Sequence, residues 1–363
     1  MKKKVLIIFP DEWVAYSPTV LNLVEVLSPS LSVKVVAPDN SRFNNTNLDV
    51  ATYHFIRIPG FISIMLPGPI YRLFKLVMFL YKLRRERADI VIGVDSVGMY
   101  TALKLFRKCN LLSLEIRRDI CFRLSDKRLI ESVMIQTKER FDFLFSQYPG
   151  KVFLVPNSPI VKDTSFITHD NGNENSQEPF RLIFLGTAIP EHGIYTCIDS
   201  IQQLGNIRLT VKGIILPEVK AVIGEKYATL LAAGHLIVDD DYLHQNEILP
   251  YLSRFDAGFC FYDFTLIKKN DFNYISCPSG KMFNYFGAGL PVIGSDILGL
   301  RLVKEFDAGI LLQDISPASI AEAIHSIRAD HATFQQNCIR AAKALDFHER
   351  SKEYVQFLTD TAG

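Results

Sequence analysis

The sequence predicts an α/β protein of two Rossmann-like domains that face each other across a cleft. Short apolar runs of strand length alternate with helical patterns in both halves of the chain, as expected for parallel sheets covered on both faces. A polar run without apolar residues, 168–179, interrupts this alternation and separates the halves. The length of 363 residues also fits about two domains.

In the first half, the apolar runs predict a sheet whose strands are connected by helices. The expected strands cover 5–9, 33–37, 53–58, 89–94, 111–116, 129–134 and 152–155. The expected helices cover 17–27, 70–87 and 97–106.

The alternation begins again after the polar run, with a strand over 181–185, a helix that ends at 204 and a strand over 207–211. Further units continue to about residue 310, and a last helix is expected over 349–359. We therefore divide the chain into four segments. These are a first domain (1–165), a linker or exposed loop (166–179), a second domain (180–345) and a C-terminal helix (346–363).

Composition excludes several classes of protein. The net charge of +1 gives no general attraction to nucleic acid, so no nucleic-acid partner is expected. The six cysteines have no CxxC spacing, which argues against a zinc site or a disulfide framework and favours a reduced, cytoplasmic compartment. The apolar run 5–9 after the first lysines is too short for a signal peptide. No segment has about 18 uninterrupted apolar residues, so no membrane-spanning helix is expected.

The most informative stretch is 276–293, where a polar loop precedes a short helix, a glycine turn and a buried strand. Ser279 is expected to cap the helix, and Gly280 allows a ligand to approach the backbone. Lys281 adds a positive charge to the first helical turn, where free N–H groups already favour an anion. Asn284 lies three residues further, on the same helix face. This arrangement predicts a phosphate site beside a hydrogen-bonding side chain.

The pattern P-S-x-K-x-F-x-Y-x-x-x-G-x-P-V-I over 278–293 resembles the donor-site motif of GT-B glycosyltransferases, especially the family 4 type. The resemblance implies that Lys281 and the helix N-terminus hold the diphosphate of a nucleotide sugar. It also implies that the last helix crosses back to the first domain. The implied donor-binding residues of this loop are Ser276, Pro278, Ser279, Gly280, Lys281, Met282 and Asn284.

Two positions depart from the family pattern. A glutamate that binds the ribose usually occupies the place of Asn284, and a second glutamate usually stands where this chain has Ser276. Both acids are absent, so the sugar and ribose contacts must differ here. The amide of Asn284 can still form hydrogen bonds with hydroxyl groups.

A second strand-to-helix turn, 182–194, opens the second domain. The backbone turns at Gly186, and its N–H groups are expected to face the other side of a diphosphate. Thr187 and His192 stand where many family 4 enzymes have an arginine and a lysine. We expect His192 to donate to a phosphate, with a charge that varies near neutral pH. The alternative is an ordinary turn without a ligand.

Two acids in the first domain are candidates for chemistry at the acceptor. Asp95 and Glu115 lie just past or within predicted strand ends, where GT-B enzymes meet their acceptor. Each is predicted to be an acceptor ligand or a base, so the catalytic candidates are Lys281, Asp95 and Glu115. The alternative for either acid is a helix cap or a turn residue.

The helix 70–87 combines basic residues with apolar ones. Such a helix can rest on an anionic membrane surface, which would suit a lipid-linked acceptor. The alternative is a core helix with a basic, solvated end.

Together these patterns predict a glycosyltransferase that moves a sugar from a nucleotide-diphosphate sugar to a glycan or lipid-linked acceptor. The resemblance implies retention of anomeric configuration and no requirement for a metal. No cofactor is expected besides the donor substrate. Two alternatives stay open: a non-catalytic GT-B homologue that acts as a partner or scaffold, and a sugar-nucleotide epimerase.

Overall fold

The computed structural model describes residues 2–39, 51–56, 68–165, 167, 178–202, 204–267 and 271–361. The chain forms two compact units, Met1–Asn157 with Phe347–Gly363 (unit 1) and Ser158–Asp346 (unit 2). Each contains a parallel sheet flanked by helices, so the predicted α/β class with two Rossmann-like units is confirmed. Most of the predicted linker, 166–179, lies outside the described residues.

The described part of unit 1 contains a seven-stranded parallel sheet in the order β3-β2-β1-β4-β5-β6-β7. The order reverses between β1 and β4, and in such sheets ligands bind at the carboxyl ends of the strands. The strands are β1 (Lys4–Ile8), β2 (Ser32–Pro38), β3 (Thr52–Ile56), β4 (Ile90–Val94), β5 (Cys109–Ser113), β6 (Ile130–Ile135) and β7 (Lys151–Leu154).

Helices connect these strands and cover the sheet. They are α1 (Pro18–Leu27), α2 (Gly68–Leu83), α3 (Asp95–Phe106), α4 (Ile120–Leu124), α5 (Lys138–Phe145) and α15 (Phe347–Thr361). One apolar core joins α2, α3 and α5 to the sheet through Phe79, Met99 and Phe145. The last helix, α15, packs against α1 and β7 within unit 1.

The described part of unit 2 contains a six-stranded parallel sheet in the order β10-β9-β8-β11-β12-β13. Its strands are β8 (Phe180–Leu185), β9 (Ile207–Lys212), β10 (Leu236–Asp239), β11 (Ala257–Cys260), β12 (Val292–Ser295) and β13 (Gly309–Leu312). Successive residues of β8 enter cores on opposite faces, as Ile183 and Phe184 do.

The helices of unit 2 complete those two cores. They are α6 (Ile194–Ile201), α7 (Pro217–Lys226), α8 (Ala228–Ala232), α9 (Gln245–Leu252), α10 (Phe272–Ile275), α11 (Gly280–Gly287), α12 (Leu302–Glu305), α13 (Pro317–Ala329) and α14 (His331–Leu345). Helices α6 and α13 pack on one face, while α11 and α14 pack on the other.

The helix predicted over 70–87 ends earlier, at Leu83. Leu83 is the last residue of this segment whose side chain is buried in the core, and the arginines that follow it are exposed. No helix of the described segments is long and apolar enough to cross a membrane.

Tyr285 fixes helix α11 to the sheet. Its hydroxyl accepts a hydrogen bond from the backbone N–H of Leu185 at 3.1 Å and donates one to the carbonyl of Phe259 at 3.1 Å. The ring lies so close to Gly258 that a Cβ there would be 2.7 Å from two ring carbons. The start of α11 is therefore held beside the carboxyl ends of β8 and β11.

We predict that Gly258→Ala lowers the free energy of unfolding by about 1–3 kcal/mol, the usual cost of overpacking a core. The ring cannot move aside without losing both hydrogen bonds of the Tyr285 hydroxyl. The matched control is Gly224→Ala in α7, where a Cβ meets nothing within 4 Å. That substitution should stabilise the helix by about 0.5–1 kcal/mol. Thermal unfolding of both variants checks the prediction, and equal midpoints would contradict it.

Candidate anion-binding site at the start of helix α11

Two glycine turns follow the central strands of unit 2. Gly186 after β8 has φ +106° and Gly213 after β9 has φ +131°, both in the left-handed region that favours glycine. Gly186 N–H donates to the carbonyl of Lys212, and a Cβ on Gly213 would collide with the carbonyl of Gly186. The two turns therefore lie directly beside each other at the carboxyl edge of the sheet.

Lys281 crosses the first of these turns. A Cβ on Gly186 would lie 3.2 Å from Lys281 Cε, so the structure brings these two predicted site residues together. The Nζ atom is buried and has no hydrogen-bond partner among the described residues. It lies 4.8 Å from the centre of the Phe184 ring. Burial lowers the pKa of Lys281 below its ordinary value.

Lys212, a second buried lysine at this edge, provides a direct comparison. Its Nζ contacts the Asp239 carboxylate at 2.5 Å and lies 5.4 Å from the centre of the Tyr251 ring. Burial alone would raise the pKa of Asp239, but the hydrogen bonds from Lys212, Asp241 and Tyr251 and the charge of Lys212 together lower it. A buried charge without a partner is costly, so an unpaired ammonium is expected where a ligand supplies the anion. Lys281 has no such partner among the described residues, whereas Lys212 is paired with Asp239.

The N-terminus of α11 is not capped by a side chain. Ser279 occupies the N-cap position as predicted, but its hydroxyl makes no capping hydrogen bond. The hydroxyl instead lies near the Cys260 thiol and the Tyr262 hydroxyl. Because the first N–H groups of a helix have no partner within it, those of Gly280 and Lys281 can receive an external anion.

His192 differs from its predicted state. Its Nδ1 lies 2.9 Å from the carbonyl oxygen of Thr187, and a carbonyl only accepts, so Nδ1 carries the proton. Burial, with the charge of Lys281 adding to it, lowers the pKa of His192 to about 4. In the ligand-free chain the charge of His192 therefore does not vary near neutral pH, which differs from the expectation. At pH 7 the neutral ring presents Nε2 as an acceptor. Donation from His192 to a bound phosphate stays a prediction.

The remaining predicted donor-site residues contribute in different ways. Ser276 is buried, and its hydroxyl donates to the carbonyl of Phe272 at 2.6 Å, which closes α10. Met282 points into the core, so only its backbone is available. Pro278 is buried in the loop, whereas Asn284 is partly exposed on α11.

In unit 1 the structure brings Asp95 and Glu115 together at the carboxyl ends of β4 and β5. Asp95 begins α3 with φ +52°, and its Oδ1 accepts from the N–H groups of Leu114 at 2.7 Å and Glu115 at 2.9 Å. Burial raises the pKa of Asp95 to about 7. Asp95 therefore holds the chain segment that carries Glu115.

Sequence reasoning did not identify Tyr285, Phe184 or Lys212 as parts of this site. Tyr285 follows Lys281 by one helical turn, and this spacing was the available signal. Phe184 and Lys212 lie in apolar runs that read only as buried strands. Their positions depend on which strands are neighbours in the sheet.

Comparison with solved structures shows the same architecture along almost the whole chain. An Anabaena protein, HepE, solved in complex with UDP and glucose, has a TM-score of 0.67 and 14% identity over 99% of this chain and 100% of its own. The lipopolysaccharide outer core galactosyltransferase WaaB gives 0.61 and 13%, covering 98% and 99% of the two chains. The trehalose 6-phosphate synthase of Burkholderia multivorans gives 0.66 and 11%, covering 100% and 99%.

No family model and no curated protein matches the sequence. At these identities, the similarity to the solved structures establishes the fold. The expected resemblance to GT-B proteins is confirmed at that level: the chain has the GT-B fold, with two Rossmann-like domains.

Proposed function

We propose that the chain is a glycosyltransferase that moves a sugar from a nucleotide-diphosphate sugar to a glycan or lipid-linked acceptor. The observation that carries the proposal is the buried ammonium of Lys281, which has no hydrogen-bond partner among the described residues. The fold, shared with a protein solved with UDP and glucose, supports the same class of donor. We further propose retention of configuration, independence of metal, and a cytoplasmic enzyme in peripheral contact with an anionic membrane.

The proposed chemistry requires stabilisation of a leaving group. When the bond between the sugar and the diphosphate breaks, negative charge develops on the diphosphate oxygens. Lys281 Nζ and the free N–H groups at the start of α11 would stabilise that charge in a buried, preorganised site. The turn at Gly186 allows backbone groups to approach the same ligand closely.

The neutral groups of the site are suited to hydroxyls rather than phosphates. His192 Nε2 has no hydrogen-bond partner among the described residues and would accept a hydrogen bond from a donor hydroxyl. Asn284 is partly exposed one turn from Lys281, and its amide would both donate and accept. These two residues would take over hydroxyl contacts that the family assigns to acids.

On the acceptor side we propose that Glu115 contacts the acceptor hydroxyl or the reacting sugar. Asp95 would act mainly by holding the backbone N–H of Glu115, because its Oδ1 accepts that bond at 2.9 Å. In this proposal Lys281 and Glu115 touch the reactants, while Asp95 positions Glu115.

One observation favours a second function, that of a non-catalytic binding subunit. The Ser276 hydroxyl donates to Phe272 and is buried, and position 284 carries an amide, so both acids of the family motif lack a direct substitute. A nucleotide-binding protein without transfer activity would retain Lys281 and α11 yet tolerate these changes.

A binding panel separates these functions. Calorimetry with UDP, GDP, ADP, dTDP and CMP, and with their sugars, should give micromolar binding for one base. Slow hydrolysis or transfer of the matching sugar would establish the enzyme, and binding without turnover would favour the non-catalytic subunit. Absence of binding to a folded protein would reject the donor site.

We predict that Lys281→Met has opposite effects on binding and stability. Nucleotide-diphosphate affinity should fall by about 1.5–3 kcal/mol, the range for a charge-assisted hydrogen bond. The free energy of unfolding of the ligand-free protein should rise by about 1–3 kcal/mol, because an unpaired buried cation is removed.

Lys212→Met is the matched control, since it removes a buried lysine that has a partner. It should destabilise the protein by about 2–3 kcal/mol, less than for a fully buried pair because Asp239 keeps some exposure. Calorimetry and chemical unfolding measure both quantities. If Lys281→Met destabilises the protein as Lys212→Met does, Lys281 has a structural role instead.

We predict that His192→Phe weakens binding of the nucleotide sugar about 3- to 10-fold but leaves binding of the nucleotide diphosphate unchanged, because one neutral acceptor is lost. His192→Gln, which keeps an acceptor oxygen, is the control and should recover part of the affinity. Since the pKa of His192 is about 4, affinity should show no step from this group between pH 6 and pH 8. A step near pH 6.5 that disappears in His192→Phe would contradict the neutral state.

We predict that Asp95→Asn raises the free energy of unfolding relative to wild type, and that this difference grows as the pH rises. The pKa of Asp95 is raised from 3.8 to about 7, so the native state binds more protons and loses stability between about pH 4 and pH 7. The variant lacks this titration and should gain on the order of 2–4 kcal/mol relative to wild type between pH 4 and pH 8. Unfolding midpoints at both pH values, with Asp142→Asn as an exposed control, measure the difference. An equal difference at both pH values would show that Asp95 is not titrating there.

A further inference from the structure

Helix α2 exposes apolar side chains that its core packing does not explain. Ile70, Leu73, Val77 and Tyr81 keep 52%, 60%, 53% and 53% of their surface exposed. They are spaced by three or four residues, so they form one stripe along the helix. Phe79 of the same helix is buried in the core. The helix therefore has one apolar side for the core and another that faces outward.

Basic side chains lie directly beyond this stripe. Lys82, Arg84, Arg85 and Arg87 are exposed, and the Arg84 guanidinium lies 3.9 Å from the centre of the Tyr81 ring. Glu86 in the same run is paired with Lys34 at 2.7 Å, so its charge is already compensated. The end of the stripe is consequently strongly positive.

Helix α4 carries a second patch of the same kind. Ile120 and Leu124, one helical turn apart, are 63% and 61% exposed. Arg118 and Arg123 are exposed beside them, and Arg118 lies 4.0 Å from the centre of the Phe143 ring. Helices α2 and α4 both pack against α3 and contribute to one apolar core, so the two patches belong to one helix layer on one face of the sheet.

We propose that this layer, formed by α2, α3 and α4, is a docking surface for an anionic lipid bilayer. The exposed apolar side chains would enter the interface between headgroups and acyl chains, and the arginines would contact lipid phosphates. The inference deepens the proposed function and rests on it for its purpose, because it names the surface of unit 1 that meets the membrane carrying a lipid-linked acceptor.

Charge favours a bilayer over a second copy of the chain. A twofold interface places the same patch on both partners, so the basic residues of one copy, such as Arg84, Arg85 and Arg123, would face a surface that carries the same positive charges. Like charges across an interface cost several kcal/mol. An anionic bilayer instead supplies counter-charges to both patches.

Co-sedimentation of the full chain with lipid vesicles tests the proposal. Wild type should bind vesicles of phosphatidylcholine mixed with phosphatidylglycerol, and binding should weaken with salt and on pure phosphatidylcholine. Each basic residue near such a surface contributes about 1 kcal/mol, so Arg84→Gln with Arg85→Gln should reduce partitioning roughly 30-fold. Leu73→Gln with Ile120→Gln should also reduce it, by about 10-fold or more.

Matched controls lie on unit 2. Arg208→Gln with Arg254→Gln changes the net charge equally, and Leu266→Gln removes an apolar residue that is 57% exposed. Both should leave partitioning within about twofold of wild type. Nucleotide binding, measured on every variant, should stay unchanged, so loss of docking is distinguished from loss of the donor site.

Three outcomes would overturn the proposal. The first is wild type that remains in the supernatant with anionic vesicles while still binding nucleotide. The second is loss of vesicle binding by the unit 2 controls as strong as that of the α2 and α4 variants, which would indicate diffuse electrostatic attraction. The third is a change of oligomeric state in Leu73→Gln with Ile120→Gln without an effect on vesicle binding, which would assign this face to a second copy.

Discussion

The buried ammonium of Lys281, which has no hydrogen-bond partner in the described part of the chain, constrains the structure of the donor side of unit 2. Removing this group from water without a counter-charge costs free energy that the surrounding packing must offset. The Tyr285 hydroxyl holds α11 to two strands, and Gly186 leaves room for the lysine side chain. The site is thus rigid and positively charged before any ligand arrives, which is how preorganised electrostatic sites act.

The alternation of apolar runs and helical patterns was sufficient to predict both sheets, because parallel strands buried on two faces have few other arrangements. The same topology explains why Gly186 and Lys281 meet. Gly186 directly follows β8, and Lys281 lies at the start of helix α11, in the connection from β11 to β12. Because β8 and β11 are neighbouring parallel strands, both residues lie at the carboxyl edge of the sheet. Helix ends were less predictable: α2 ends at Leu83 because burial ends there, although helix-forming residues continue.

The protonation state of His192, the contacts of Ser279 and the hydrogen-bond partners of Asp95 could not be predicted from the sequence. His192 is neutral because it is buried beside Lys281. Ser279 is the N-cap residue, but its hydroxyl lies near Cys260 and Tyr262 and makes no capping hydrogen bond. The sequence predicts that Asp95 is an acceptor ligand, a base, or a cap or turn residue, but it does not show that Asp95 is buried and accepts hydrogen bonds from two backbone N–H groups. Each of these properties depends on residues that are distant in the sequence but close in the structure, and a local sequence pattern does not show which residues these are.

The Tyr285 hydroxyl also makes the donor side of unit 2 depend on contacts between distant parts of the chain. It joins α11 to Leu185, 100 residues earlier in the chain, and to Phe259, 26 residues earlier. Closing such loops loses conformational entropy before the new contacts stabilise the structure, so non-local pairings of this kind form slowly. Helix α11 keeps both bonds only where β8 and β11 lie side by side, because the Tyr285 hydroxyl contacts both strands. The pocket beside Lys281 therefore exists only in a chain whose sheet has formed these non-local pairings.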